Sequence, residues 1–204
     1  MSLLKKISST DFEIALWRIE EELSFFEEKF HAQPDIKNEN KRLQWYASRY
    51  LVNEMLGGNS TIEKDANGKP VLKNSEAHVS ISHTQQFAAV MFSKNKAVGI
   101  DLENINPKVE RIAHKFLRDD EINAIAADER IGKLILYWSA KEALYKLHGK
   151  GEIEFATQLL IEPFELKPNG ELKAEIAGIE QPLKNLKLCY EFFEGHVLTW
   201  VCSH

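Results

Sequence analysis

Apolar residues recur along the chain with two different periods. Phe12, Leu16, Ile19, Leu23, Phe26 and Phe30 fall at steps of four and three, the spacing of one helix face. Thr10-Asp11-Phe12-Glu13 has the form of a capping box, and Pro34 closes the element. A second helix is predicted over about 40–55, with Leu43, Ala47 and Tyr50 on one side and Gly57-Gly58 as its stop. Asn67-Gly68-Lys69-Pro70 is a turn signal. Short strands are predicted after it, over 71–72, 78–82, 87–92 and 97–103. Beyond Asn104 to Pro107 the order begins again. Helices are predicted over 109–117, 120–127 and 131–147, then strands over 158–161, 171–176, 186–193 and 197–202. Helices followed by strands, twice, predict two α+β halves of roughly 100 residues each. No residue-level repeat links them.

Composition narrows the class. The chain has 204 residues, 44% hydrophobic and 28% charged, values that allow a substantial core and exclude disordered, collagen-like and disulfide-scaffold sequence. No apolar run approaches the ~18 residues of a membrane span. The opening Met-Ser-Leu-Leu-Lys-Lys turns polar at once, unlike a signal peptide, so a cytoplasmic location is expected. With 26 basic against 31 acidic residues, the net charge is −5. Neither a nucleic-acid nor a membrane partner is expected, and a polyanionic ligand must meet a local basic cluster. Cys189 and Cys202 lack Cys-x-x-Cys spacing and read as buried free thiols rather than redox or zinc groups.

The chemistry-bearing stretches come next. In Val98-Gly99-Ile100-Asp101-Leu102-Glu103 strand alternation sends Val98, Ile100 and Leu102 to one face and Gly99, Asp101 and Glu103 to the other. Two carboxylates so placed repel unless a cation lies between them, and oxygen donors of this kind suit Mg²⁺. Gly99 leaves room for a ligand at the backbone. A solvated acidic edge strand is the alternative. In Trp138-Ser139-Ala140-Lys141-Glu142-Ala143-Leu144-Tyr145-Lys146, Glu142 and Lys146 share a helix face, with Trp138 one turn before them. They form either an ordinary surface pair or a carboxylate and a lysine completing a metal–phosphate site. Gly68-Lys69-Pro70 sets a lysine on a turn, Ser80-Ile81-Ser82-His83-Thr84 ends a strand with hydroxyls and an imidazole, and His148-Gly149-Lys150-Gly151 ends the long helix.

In this order and spacing, Gly-Lys-Pro, Ser-x-Ser-His-Thr, Val-Gly-Ile-Asp-Leu-Glu, Trp-Ser-x-Lys-Glu-Ala-x-x-Lys and Gly-Lys-Gly resemble the 4′-phosphopantetheinyl transferases. Chain length and two-half layout are similar to the surfactin-synthetase-activating (Sfp-like) branch. The resemblance implies an α+β fold of two similar halves, 1–103 and 104–204, in a pseudo-twofold arrangement with the active site in the cleft between them. It implies Asp101, Glu103 and Glu142 as magnesium ligands and Lys146 as the lysine on the phosphates of coenzyme A. Lys141, which matches the lysine before the metal-binding glutamate, and Lys69 are implied as further coenzyme A contacts. Ser82 and His83 match the 3′-phosphate end, Arg42 the arginine on the nucleotide phosphate, and Lys150 lies where it can meet a phosphate. Lys29, Lys37 and Lys41 are candidates for further N-terminal contacts. Ser80 stands where relatives often have Asn.

The activity so implied is transfer of 4′-phosphopantetheine from coenzyme A to a serine of an acyl or peptidyl carrier protein, in fatty-acid, polyketide or peptide synthesis. Adenosine 3′,5′-bisphosphate is released. Such chemistry rests on positioning and charge neutralisation. Glu142, directly or through a water, is the expected base for the serine hydroxyl, and Lys146 the counter-charge. Another Mg²⁺-dependent phosphotransferase or phosphodiesterase, or a coenzyme A- or carrier-binding module without turnover, is the alternative. A monomer is expected. Arg111, Lys115, Phe116 and Arg118 form either a basic-apolar face for an acidic carrier helix or an ordinary solvated face with Phe116 in the core.

Overall fold

A computed structural model describes residues 3–30, 34–58, 60–73 and 75–204. In the N-terminal part, strands β1 (Leu3–Ser8) and β2 (Glu13–Arg18) form a hairpin. The Ser9 hydroxyl closes its turn by accepting the Asp11 and Phe12 amides, each at 3.1 Å. This hairpin replaces the first half of the helix expected over residues 12–30. Ile14, Ala15, Leu16 and Trp17 are all buried, because β2 is an inner strand. A strand buried on both faces carries no period of two, and its apolar run then passes for a helix face. Only α1 (Leu23–Glu27) is helical in that stretch, and it ends well before Pro34.

Helix α2 (Glu39–Leu56) forms as expected. The Asn38 side chain accepts the Lys41 amide at 3.0 Å, and Gly57 ends the helix at φ 79°. Its buried face, Ala47, Tyr50 and Leu51, packs on the sheet, and Tyr50 meets Trp17 and Phe26 edge to face. Strands β3 (Ile62–Lys64) and β4 (Pro70–Leu72) form a small hairpin. The Asp65 carboxylate gathers the amides of Asn67 and Lys69 at 2.8 and 2.9 Å in its turn. Strands β5 (His78–His83) and β6 (Phe87–Ser93) complete an antiparallel sheet in the order β1-β2-β6-β5.

The second compact unit is Ala97–His204. It opens with β7 (Val98–Asn104), which pairs with the last strand of the chain. The division therefore falls between Lys96 and Ala97, ahead of the 103/104 boundary expected from the polar Asn104–Pro107 stretch. After a 3-10 helix, Pro107–Lys115, come α3 (Asp119–Asn123), α4 (Arg130–His148) and α5 (Phe155–Gln158). The helix expected over 120–127 thus stops at Asn123. Strands β8 (Leu159–Ile161), β9 (Asn169–Ile176), β10 (Leu183–Phe193) and β11 (His196–Cys202) follow. This antiparallel sheet runs β7-β11-β10-β9-β8. In each unit a strand that precedes the long helix lies beside the last strand, β2 beside β6 and β7 beside β11.

Helix α4 lies on β7 and β11. Leu136, Leu144 and Leu147 join Leu159, Ile176, Leu188, Val197 and Val201 in one core. Each such side chain contributes about 1.5–3 kcal/mol by leaving water. Buried Ser139 and Thr199 tie α4 to β11 through a hydroxyl contact at 2.9 Å and the Ser139 carbonyl. Cys189 and Cys202 are free thiols, half-buried rather than fully buried. No helix of the described residues is long and apolar enough to cross a membrane.

Candidate active site

The site is built where β7 runs beneath α4. Alternation puts Gly99, Asp101 and Glu103 on the face turned to the helix. A Cβ at Gly99 would collide with the Ala143 carbonyl oxygen and stand 2.8 Å from the Leu147 nitrogen. The missing side chain therefore admits the helix backbone, not a ligand as the sequence suggested. That close approach brings the acidic pair on β7 against the polar residues of α4.

Asp101 is buried, its side chain 5% exposed, and Oδ1 accepts from Lys146 Nζ at 2.7 Å. Glu103 Oε1 accepts the indole N–H of Trp138 at 2.7 Å. Burial, then the charge of Asp101, pushes the Glu103 carboxyl up to about 7. Glu142 is pushed up to about 7 by the same two causes in the same order, with Lys146 opposing. Both glutamates thus feel Asp101 and Lys146, so three carboxylates and one ammonium share a single electrostatic environment.

Among the described residues, no group of three or more His, Cys, Asp or Glu converges as a ready metal centre. The cation at Asp101 is the Lys146 ammonium. The donor set nonetheless fits a hard divalent ion by its chemistry. All three donors are carboxylates, and two hold their protons unusually tightly, first because they are buried and then because the charge of Asp101 lies close by. The solvated-edge alternative for Asp101 fails, since that residue is buried against α4.

Lys141 departs from its expected place. One step before Glu142 the helix turns about 100°, and Lys141 is fully buried. Its ammonium donates to the carbonyls of Phe116 at 2.6 Å and Phe155 at 2.9 Å. Burial lowers it to about 8. It binds the protein's own backbone, and cannot meet the phosphates of coenzyme A from there. Lys150 is exposed just beyond Gly149, the left-handed residue that ends α4 at φ 67°. Phe116 is in the core, so the expected basic-apolar face loses its apolar member, and Arg118 pairs with Asp120 and Glu121.

The remaining expected residues lie in the N-terminal unit. Lys69 sits in the β3–β4 turn, half-buried, and burial lowers its ammonium despite Asp65. Ser82 is buried and His83 exposed, as alternation along β5 requires. Arg42, in the first turn of α2, lies 3.7 Å from Glu27. Lys29 lies over the Phe25 ring, and Lys41 is exposed at the start of α2. One residue was not singled out from the sequence, and another was placed there without its partner. His78 is held below its ordinary range by burial and then by the charge of Lys69. Trp138, which its spacing of four placed one turn before Glu142, bonds Glu103 on β7, a partner that helix spacing alone does not assign.

Comparison with known proteins identifies the family. Residues 97–201, from β7 to β11, match the family described as the 4′-phosphopantetheinyl transferase superfamily. Since that match covers more than half of the chain, the protein belongs to this superfamily. It is 31% identical over 136 residues to the 4′-phosphopantetheinyl transferase HetI of Nostoc sp. (strain PCC 7120 / SAG 25.82 / UTEX 2576), covering 56% of this chain and 57% of that one. It is 33% identical over 110 residues to the 4′-phosphopantetheinyl transferase psf-1 of Bacillus pumilus, covering 50% and 47%. A 4′-phosphopantetheinyl transferase of Bacillus subtilis is 29% identical over 121 residues, covering 56% and 51%. The chain spans about half the length of the curated relatives it matches.

Proposed function

We propose that the protein transfers 4′-phosphopantetheine from coenzyme A to a serine hydroxyl of an acyl or peptidyl carrier protein, releasing adenosine 3′,5′-bisphosphate. The observation that carries this reading is the β7–α4 arrangement, with Asp101 bonded to Lys146 and both glutamates pushed up to about 7. Family membership supports it. The likeness to psf-1 and to the Bacillus subtilis transferase supports placement in the surfactin-synthetase-activating branch.

Asp101, Glu103 and Glu142 would hold Mg²⁺, which when bound supplies positive charge against a pyrophosphate. The rest is the work of the chain's own side chains. Lys146, its side chain 26% exposed, presents an ammonium to incoming phosphate oxygens and offsets charge gathering on the leaving group. A serine hydroxyl needs a base at neutral pH. Glu142, pushed up to about 7, is matched to that task, taking the proton directly or through a water. Arg42, Ser82 and His83 would receive the 3′-phosphate end, Lys69 would contact coenzyme A, and Lys150 adds an exposed cation after α4. The proposed working state is a monomer, and a stable trimer by light scattering would contradict it.

Mass spectrometry of an apo-carrier incubated with coenzyme A, Mg²⁺ and the protein tests the reading. A gain of the phosphopantetheine mass on the carrier is expected. Nucleotide breakdown with an unmodified carrier would replace the transferase by a phosphodiesterase, and binding without chemical change would replace it by a binding module.

A further inference from the structure

The buried lysine beside Glu142 and the indole on Glu103 belong to one connected arrangement. The Trp138 ring meets Phe116, with centroids 5.2 Å apart, and stacks on Phe155 at 5.7 Å and 27°. The carbonyls of those same two phenylalanines receive the Lys141 ammonium. Phe116 directly follows the 3-10 helix and Phe155 opens α5, so Lys141 pins the ends of two short elements to α4. An ammonium withdrawn from water is costly unless it is hydrogen-bonded, and an apolar side chain would fill the same volume without that cost. What the lysine adds over such a side chain is the pair of bonds that fix the main chain from which the two rings project.

We propose that Trp138 is a positioning residue for Glu103, and that Lys141 acts through Phe116 and Phe155 to hold Trp138 in place. A glutamate has three rotatable bonds, and its carboxylate turns over a broad range. A charge-assisted bond from a clasped indole removes most of that freedom. The indole N–H only donates, so it favours a carboxylate already ionised and aimed at the site. Partners of this kind behind a metal ligand typically change affinity or activity by about 10–100-fold when removed. The inference rests on the proposed function only in naming Mg²⁺ as what Glu103 holds.

The test reads the Trp138 indole N–H signal in ¹⁵N-labelled, metal-free protein. Its loss in Trp138→Phe assigns it among the four tryptophans. Glu103→Gln is expected to shift this signal and leave those of Trp17, Trp45 and Trp200 in place. Lys141→Met is expected to shift or broaden the same signal alone. A signal unmoved by Glu103→Gln overturns the Trp138–Glu103 assignment, and one unmoved by Lys141→Met overturns the part given to Lys141. Where Lys141→Met does not fold, Phe155→Leu removes one clasping ring while keeping the carbonyl, and is read in the same way. Calorimetric titration of Trp138→Phe with Mg²⁺ is expected to show binding about 10–100-fold weaker than wild type. In turnover the Mg²⁺ requirement rises by that factor while KM for coenzyme A at saturating Mg²⁺ is unchanged, a split that general loosening of the fold would not produce. Unaltered Mg²⁺ affinity overturns the proposal. A wild-type protein that neither binds Mg²⁺ nor modifies a carrier defeats the functional reading instead, and the indole signals still decide the positioning.

Discussion

Lys146 and Asp101 stand 45 residues apart in sequence and 2.7 Å apart in space, ammonium to carboxylate, across the seam between α4 and β7. The contact separates two roles that loss of activity alone would merge. Asp101→Ala removes a carboxylate from the proposed ion site, so turnover collapses and partly recovers at high Mg²⁺ through Glu103 and Glu142. Lys146→Ala leaves the three carboxylates and removes the phosphate counter-charge, so it too collapses, and added Mg²⁺ does not restore it. A lost charged contact of this kind costs about 3–4 kcal/mol, two to three decades in rate. Rates on an apo-carrier across a Mg²⁺ series check both variants. Near wild-type turnover of Lys146→Ala would remove that residue from the mechanism.

Gly99 offers a test of the seam itself. In Gly99→Ala the new methyl meets main-chain atoms of Ala143 and Leu147, which cannot move without lifting α4. Overpacking of this sort costs about 1–3 kcal/mol or more. Asp101 and Glu103 would be displaced from Lys146 and Trp138 with it, so activity falls alongside stability. Gly132→Ala is the comparison. Its Cβ meets only Leu166 Cδ2 at 2.7 Å, the end of a flexible side chain, and replacing a helical glycine gains about 0.5–1 kcal/mol. Denaturant unfolding should show Gly99→Ala strongly destabilised and Gly132→Ala near wild type.

How legible the chain was depended on what each residue faces. Helices α2 and α4 were readable because glycines at positive φ stop them, and β5 to β7 because short apolar runs lie between turn residues. The run Ile14–Trp17 misled because β2 is enclosed on both faces, which erases the alternation that marks a strand. In the site, alternation on β7 paired Asp101 with Glu103 and the four-residue step on α4 paired Glu142 with Lys146, and the family resemblance joined the two pairs. Nothing local could show that Lys141 finds two carbonyls, 14 and 25 residues away. The sequence also could not show that Gly99 serves the helix rather than a ligand, because its partners, Ala143 and Leu147, lie on another element.

His78 gives a pH-dependent prediction. Burial, then the charge of Lys69, holds its imidazole below the ordinary value of 6.5. The folded form therefore resists protonation more than the unfolded chain does. The resulting stability is complete above 6.5 and declines as pH falls from there toward the lowered folded value, where it levels off. Lys69→Met removes the repelling charge, so His78 should titrate closer to 6.5 and the acid-side decline should shrink. Titration of the His78 ring by NMR, with thermal melts across the same pH range, reads both effects. A His78 midpoint unmoved by Lys69→Met would show that the two side chains are not coupled.

The last prediction concerns the far end of coenzyme A. A ligand that binds only the folded protein raises its stability, by about 2.7 kcal/mol at a hundred times the dissociation constant. Coenzyme A with Mg²⁺ should therefore raise the melting temperature. Dephospho-coenzyme A lacks the 3′-phosphate and should protect less if Arg42, Ser82 and His83 receive that group. The difference between the two ligands should shrink in Arg42→Ala, where Ser82 and His83 alone are left to receive the 3′-phosphate. Lys146→Ala should behave in the opposite manner, losing protection by both ligands alike while keeping the gap between them, because its ammonium lies beside Asp101 in the C-terminal unit. Thermal melts of the two variants with both ligands complete the comparison. Equal protection of the wild type by coenzyme A and dephospho-coenzyme A would remove the 3′-phosphate role from Arg42, Ser82 and His83 together.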